Sequence, residues 1–197
     1  VVKMIKEIIS IDISDNAKIN FLGIEEIRDE DEYGGFRINL MVELYEIKEK
    51  FHIDIATGDS ITPKEISYKY KTLLDNKVFT VWAYNIETVL AEKIETILNR
   101  LEVNGRMRDF YDVYLIYTKE WKKINRETLK KAIKKTFNKR SFRGDIIENL
   151  TIIKYSEVLK NRWKKYANKY DYAKNIEFDE IIKCLENIIS IIKPIFV

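Results

Sequence analysis

The stretch RMRDFYDVY, residues 106–114, sets Asp109 and Asp112 three positions apart in a basic and aromatic run. On a helix that spacing places both carboxylates on one face. Phe110, Val113, Tyr114 and Tyr117 form an apolar stripe beside them. A second chemical group lies upstream in NIETVLAEKIETILNR, residues 85–100. Ile86, Val89, Leu90, Ile94, Ile97, Leu98 and Leu101 make the apolar face of that helix, and Lys93 falls within it. Burying an unpaired lysine is costly, so Lys93 calls for a carboxylate or a bound anion. The LEVNG turn folds the next helix back antiparallel. Lys93 is then nearly level with Asp112, with Asp109 one turn closer to the loop. Two readings stay open: an ion pair that only fixes helix register, or a polar pocket lined by two carboxylates.

Asp54 is the third acid of interest. In FHIDIAT, Phe51, Ile53 and Ile55 point to one face of a strand, and His52, Asp54 and Ala56 to the other. Aspartate disfavours strand interiors. A carboxylate there either binds Mg²⁺ or activates a hydroxyl, or it lies on a solvated sheet face.

Other chemistries lack their residues. His52 is the single histidine and Cys184 the single cysteine, which excludes an internal disulfide and a cysteine- or histidine-based zinc centre. A Ser–His–Asp triad would have to use His52 beside Asp54. No GxxxxGK[ST] loop and no GxGxxG occurs. Glu92-Lys93 stand adjacent and on a helix, unlike the strand-borne E-x-K of many nucleases. No apolar run approaches the roughly 20 residues that span a bilayer, and VVKMIKEIIS is too charged for a signal peptide. With one cysteine and no span, the expected place is the cytoplasm, with no membrane partner. The chain opens on Val, which reads as a processed or cut N-terminus.

The elements that must position these groups fall into two stretches. Residues 1–9 have a helical apolar period. Residues 19–27, 36–44 and 50–56 read as strands, the last two an antiparallel pair joined by YEIKEK. RDEDEYGG (28–35) is an acidic loop, TGDSITP (57–63) a turn, and 77–84 a further strand. Helices follow at 85–100, 107–118, 125–138, 145–165 and 176–192, with Asn85 as N-cap of the first and Pro194 stopping the last. Strands first and helices after predict an α+β fold, with the boundary between residues 1–84 and 85–197.

The formal charge of +3 is unevenly spread. Residues 1–117 hold 15 basic and 22 acidic side chains, a net of −7. Residues 118–174 hold 18 basic and 6 acidic, a net of +12. Such a segment attracts nucleic acid by counterion release, or it is a solubilising lysine-rich surface.

FHIDIATGD, then YNIETVLAEKIETILNR, then NGRMRDFYDVYLI resemble, in order and spacing, the AbiEii/AbiGii-type nucleotidyltransferase toxins of abortive-infection and toxin–antitoxin systems. The resemblance covers roughly residues 35–117, and the E–LAEK–R run followed by R–RDFYD is its more specific part. It implies a partial nucleotidyltransferase sheet of the DNA polymerase beta type over residues 1–84, followed by a helical region. It also implies transfer of a nucleotide from an NTP with Mg²⁺; some relatives modify tRNA 3′ ends. Asp54 matches the third acidic position, a general base or metal-supporting carboxylate. Lys93 matches the lysine that meets NTP phosphates. Asp112 and Asp109 match the R–RD–D helix. Glu87, Arg100 and Arg108 sit in the same motifs as cofactor-binding candidates, although a cation at Arg100 is also what a helix C-terminus favours.

The family's G-G/S element and the D-x-D after it are not found upstream in the same form. Gly34–Gly35 follows the acidic run, and Asp29-Glu30-Asp31 lies within it. The expectation is that about 70 residues of the family's layout, one βα-type segment of the core, are missing, leaving the chain inactive or impaired alone. Acceptor contacts are expected from Lys130, Lys131, Lys134, Lys135, Lys139, Arg140, Arg143, Lys164 and Lys165. Tyr155, Trp163, Tyr166 and Tyr170 either stack on bases or pack between helices. Expected partners are tRNA or another nucleic acid and a cognate antitoxin. The alternative is a non-catalytic RNA-binding or antitoxin-binding protein on a degenerate form of the fold.

Overall fold

Alternating apolar residues build a small antiparallel meander in the first part of the chain. The computed structural model describes residues 1–27, 34–56 and 58–192. Helix α1 (Val2–Ile9) precedes strands β1 (Lys18–Ile27), β2 (Gly35–Leu44) and β3 (Ile47–Ala56), paired in the order β1-β2-β3. Phe21 pairs with Leu40, Ile38 with Ile53, and Leu40 with Phe51, so one face is apolar. Ile5 of α1 is buried with Ile38 and Leu40, and Ile9, Phe21, Phe51 and Ile55 close the small core. The irregular register between Phe21 and Gly23 lets β1 keep Ile24 opposite Ile38. The opposite face is polar: Arg37 is paired with Asp54, and Asn39 donates to Glu25.

The connection read as YEIKEK is shorter than expected. Leu44 already pairs with Ile47, leaving Tyr45 and Glu46 as the turn, with Tyr45 at φ 53°. Charged residues hide the start of β3, but Lys48 meets Glu43 across the ladder at 3.4 Å. The acidic residues 29–31 and Pro194 lie outside the described residues.

The chain divides into two units, residues 1–59 and residues 60–197. The second begins with a hairpin of β4 (Ile66–Lys71) and β5 (Val78–Ala83). β4 is a strand for which the sequence reading makes no provision, although Ile66, Tyr68 and Tyr70 alternate as a strand should. The change from strand to helix still falls at residues 84–85. The hairpin groups with the helices because the segment before it is tied to them. The Thr62 amide donates to Thr88 Oγ1 at 3.0 Å, and Asn85 Nδ2 donates to the Thr62 carbonyl at 2.7 Å.

The helices that follow include α2 (Ile86–Arg100), α3 (Met107–Leu115), a π turn (Ile116–Glu120), α4 (Arg126–Lys139), α5 (Ile146–Tyr155), α6 (Glu157–Lys169) and α7 (Phe178–Ile192). α2 is central, with Leu90, Ala91, Ile94, Ile97 and Leu98 fully buried among Phe110, Val113, Leu129, Ile133, Ile181, Leu185 and Ile188. Each such Leu, Ile, Val or Phe side chain contributes about 1.5–3 kcal/mol by leaving water. The helix expected at 145–165 is two. Ser156 adopts an extended backbone (φ −73°, ψ 109°), and its side chain accepts from the Leu159 amide to start α6. Neither Gly nor Pro marks that break, so the period alone does not show it. The helix expected at 107–118 loosens into the π turn after Leu115, where Thr118 Oγ1 donates to the Tyr114 carbonyl at 2.8 Å. The architecture is α+β, as the order of elements predicts.

Candidate functional site

The α2–α3 hairpin is set by its ends. Asn85 caps α2 by accepting from the Thr88 amide at 2.8 Å. After α2, Leu101 takes a left-handed φ of 47° and a 3-10 turn runs from Leu101 to Val103. Asn104, fully buried, accepts from the Arg106 amide at 2.8 Å and turns the chain into α3. Arg162 of α6 donates to the carbonyls of Glu102 and Asn104, and Ser156 Oγ donates to the Glu102 carboxylate at 2.5 Å. The turn is therefore pinned from outside the hairpin, and with it the register of the two helices.

That register brings Lys93 to both aspartates. Its Nζ lies 2.6 Å from Asp109 Oδ1 and 3.0 Å from Asp112 Oδ2. The Asp109 side chain is 3% exposed, while Lys93 and Asp112 keep 24% and 23%. Arg106 Nε approaches Asp109 Oδ2 at 3.1 Å, and Arg108 Nε reaches Asp112 Oδ1 at 3.9 Å. Burial works against the Lys93 charge, but the hydrogen bonds to Asp109 and then Asp112 outweigh it and raise its pKa above the ordinary 10.5. Lys93 is a fixed cation and has no basic lone pair to offer near neutrality.

Three cations and two carboxylates leave this group at net +1, with the guanidinium groups of Arg106 and Arg108 toward solvent at 59% and 75% exposure. Such a charge distribution can attract an anion such as a phosphate. It does not fit Mg²⁺: an ammonium already lies between the carboxylates, and among the described residues no group of three His, Cys, Asp or Glu could hold a metal ion.

The other candidates are placed differently. Glu87 is 8% exposed, and its carboxylate accepts the Asn125 amide at 2.8 Å at the start of α4. Arg100 is exposed in the last turn of α2. Asp54, in the first unit, receives a bidentate pair from Arg37 at 2.8 Å to each oxygen and is 43% exposed. That partner raises the Arg37 pKa. On α4, Lys131, Lys134 and Lys135 are exposed opposite the buried Leu129, Ala132, Ile133 and Phe137. Lys130 meets Glu127 at 2.8 Å, and Lys139 is half-buried. Arg140 turns inward, to Glu95 at 2.9 Å and Glu92 at 3.8 Å. Arg143, Lys164 and Lys165 are exposed. Trp163 is 3% exposed and donates Nε1 to the Ile176 carbonyl at 2.8 Å, so it packs between helices. Tyr155 is 68% exposed.

Arg106 is the member of the group that the sequence reading passes over. Its signal is the i,i+3 spacing to Asp109.

Among the described residues no helix is long and apolar enough to cross a membrane. Comparison with curated proteins and with solved structures finds no match. The family model for the nucleotidyl transferase AbiEii toxin, Type IV TA system, matches residues 2–184. That span takes in the strand bearing Asp54 and the hairpin bearing Lys93, Asp109 and Asp112, and the chain therefore belongs to the AbiEii nucleotidyltransferase toxin family.

Proposed function

We propose that the chain belongs to a toxin that moves a nucleotide from Mg-NTP to a nucleic acid acceptor, tRNA foremost. The observation that carries this reading is the Lys93 ammonium held between Asp109 and Asp112 with Arg106 and Arg108 beside it. Residues 1–84 serve as the latter part of the nucleotidyltransferase core and residues 85–197 as the helical region with the basic surface.

In nucleotidyl transfer, an acceptor hydroxyl oxygen bonds to the α-phosphorus, the anhydride bond to the β-phosphate breaks, and pyrophosphate leaves. Positioning and charge stabilisation supply most of the rate. Lys93 holds phosphate oxygens, and the two aspartates keep its ammonium at one point. Arg106 and Arg108 draw the polyphosphate inward. Within the first unit, Asp54 is the candidate general base or metal-supporting carboxylate, and its pairing with Arg37 has to open for either role. Glu87 acts by fixing the start of α4. The exposed lysines of α4, with Arg143, Lys164 and Lys165, hold the acceptor backbone. The family's toxin–antitoxin setting supports a cognate antitoxin as a functional partner.

On this reading the chain alone is inactive or impaired in transfer, because Asp54 is taken up by Arg37 and Asp109 and Asp112 by Lys93. The ion pairs that occupy these carboxylates favour a second reading, an RNA- or partner-binding protein without catalysis. The test is to incubate α-labelled NTPs, Mg²⁺ and tRNA with this chain and with the chain extended by the codons upstream of Val1. Label should reach tRNA with the extended protein and be lost in its Lys93→Ala and Asp112→Asn variants. No transfer by either protein, with tRNA binding intact, would leave the second reading in place.

A further inference from the structure

Beside the Lys93 group, a cluster of tyrosines forms where α3, α6 and the 3-10 turn Asp171–Ala173 meet. Tyr111, the neighbour of Asp112 in sequence, has its ring 4.7 Å from that of Tyr172. Tyr172 stacks on Tyr170 at 5.4 Å with 23° between their planes. Tyr170 lies 4.7 Å from Tyr166, and the Tyr166 and Tyr172 hydroxyls are 2.8 Å apart. Trp163 backs the cluster from the core, 5.4 Å from Tyr166.

The cluster grades from buried to open: Trp163 is 3% exposed and Tyr172 is 48% exposed. Helix packing accounts for the buried end. It does not call for a half-exposed ring already in a stacked pair, whose uncovered surface gains by meeting another flat ring. Cations flank it. Lys169 Nζ sits 5.3 Å from the centre of the Tyr170 ring, and Arg108 is 75% exposed. Burial first, then the bond to Tyr172, raises the Tyr166 pKa; the charges of Arg108 and Asp112 also reach its hydroxyl. The cluster thus adjoins the Lys93 group.

We propose that Tyr170 and Tyr172 form a stacking platform for a nucleobase, with Arg108 and Lys169 taking the phosphate next to that base. The placement of the platform beside a reacting centre rests on the proposed transfer reading; base binding itself does not. A nucleobase with a phosphate can come from the NTP or from the single-stranded end of the acceptor. Base–aromatic stacking is typically about 1–3 kcal/mol per base.

Binding is measured by anisotropy with a fluorescein-labelled single-stranded RNA 12-mer and by equilibrium dialysis with radiolabelled ATP, GTP, CTP and UTP. Tyr172→Leu keeps apolar bulk and removes the ring, and should weaken binding about tenfold. Tyr172→Phe keeps the ring and should bind like the parent. A loss confined to RNA identifies the acceptor as the source of the base; a loss confined to an NTP identifies the nucleotide. Arg108→Gln, on an exposed side chain, should weaken RNA binding and reduce its salt slope by about one unit even if Tyr172→Leu misfolds. Parent-like binding by Tyr172→Leu, an unchanged salt slope in Arg108→Gln, or no binding of either probe by the parent overturns the platform. Loss of binding in Tyr172→Leu with no transfer by the extended protein would overturn the transfer reading and leave the platform standing.

Discussion

Lys93 and Asp109 meet at 2.6 Å across the α2–α3 hairpin, sixteen positions apart in sequence, and the carboxylate is almost wholly withdrawn from water. The pair binds two helices whose facing sides are otherwise apolar. Asp112 completes the cradle from the next turn of α3 and stays in touch with solvent.

Removing the lysine leaves two carboxylates facing each other. Lys93→Ala should destabilise the fold by about 3 kcal/mol, at the low end for a broken buried pair because Arg106 still supports Asp109. Asp109→Ala should cost more than Asp112→Ala, since its side chain is far less exposed. Urea denaturation of the three variants measures this order. Equal costs for the two aspartates would contradict the burial difference. The raised Lys93 pKa means that this stability is complete below the unfolded value near 10.4 and declines only as pH rises through the folded value.

Glu87 lies in a motif that the family resemblance associates with the cofactor, yet its carboxylate holds the amide that opens α4. Glu87→Ala should therefore destabilise by about 1–3 kcal/mol through loss of the charge-assisted, half-buried hydrogen bond to the Asn125 amide. Thermal melting separates this from a direct role. A variant with parent stability and lost NTP binding would return Glu87 to the nucleotide.

Glu95 should make stability depend on pH in an unusual direction. Burial raises its pKa above 4.5, and the neighbouring Arg140 only partly offsets that. The native carboxyl binds a proton at higher pH than the unfolded one, so this group adds stability as pH falls from its raised folded value toward 4.5. Comparing the stability of the parent and Glu95→Gln between pH 7 and pH 4.5 isolates the effect. The parent should gain relative to the variant on acidification. A constant difference would remove Glu95 as the cause.

The basic residues of α4 separate into two groups. Charge reversal at Lys134 and Lys135, both exposed, should leave the fold intact, weaken RNA binding and flatten its salt dependence. Reversal at Arg140 should instead destabilise the protein, because it places a carboxylate against Glu95 and Glu92. Anisotropy across a salt series, with a melting curve for each variant, tests both. An unchanged salt slope for the lysine variant would remove α4 from the acceptor path.

Ser156 is the hinge between α5 and α6 and also holds Glu102 of the α2–α3 turn. Ser156→Ala should cost about 1 kcal/mol from the lost cap alone. Hydrogen exchange should quicken at the Leu159 amide and in residues 101–104. Exchange confined to α6 would show that the Glu102 contact does not steady the turn.

What the sequence determined by itself is what short-range chemistry controls. Asn85 before an apolar period starts α2, the alternation in residues 36–44 and 50–56 yields a half-apolar strand pair, and Lys93 inside an apolar stripe demands a carboxylate or a bound anion. Hairpin arithmetic then nominates Asp109 and Asp112, because the helix rise and a short turn leave few alternatives. Only the tertiary structure decided which cations are available. Arg140 and Lys131 read alike in a basic run, yet one is turned inward by two glutamates from α2 and the other faces water. The same holds for Glu87 beside Asn125 and for the tyrosines gathered from α3, α6 and the turn between α6 and α7. Those partners are far apart along the chain, and helix packing, which no local period encodes, brings them together.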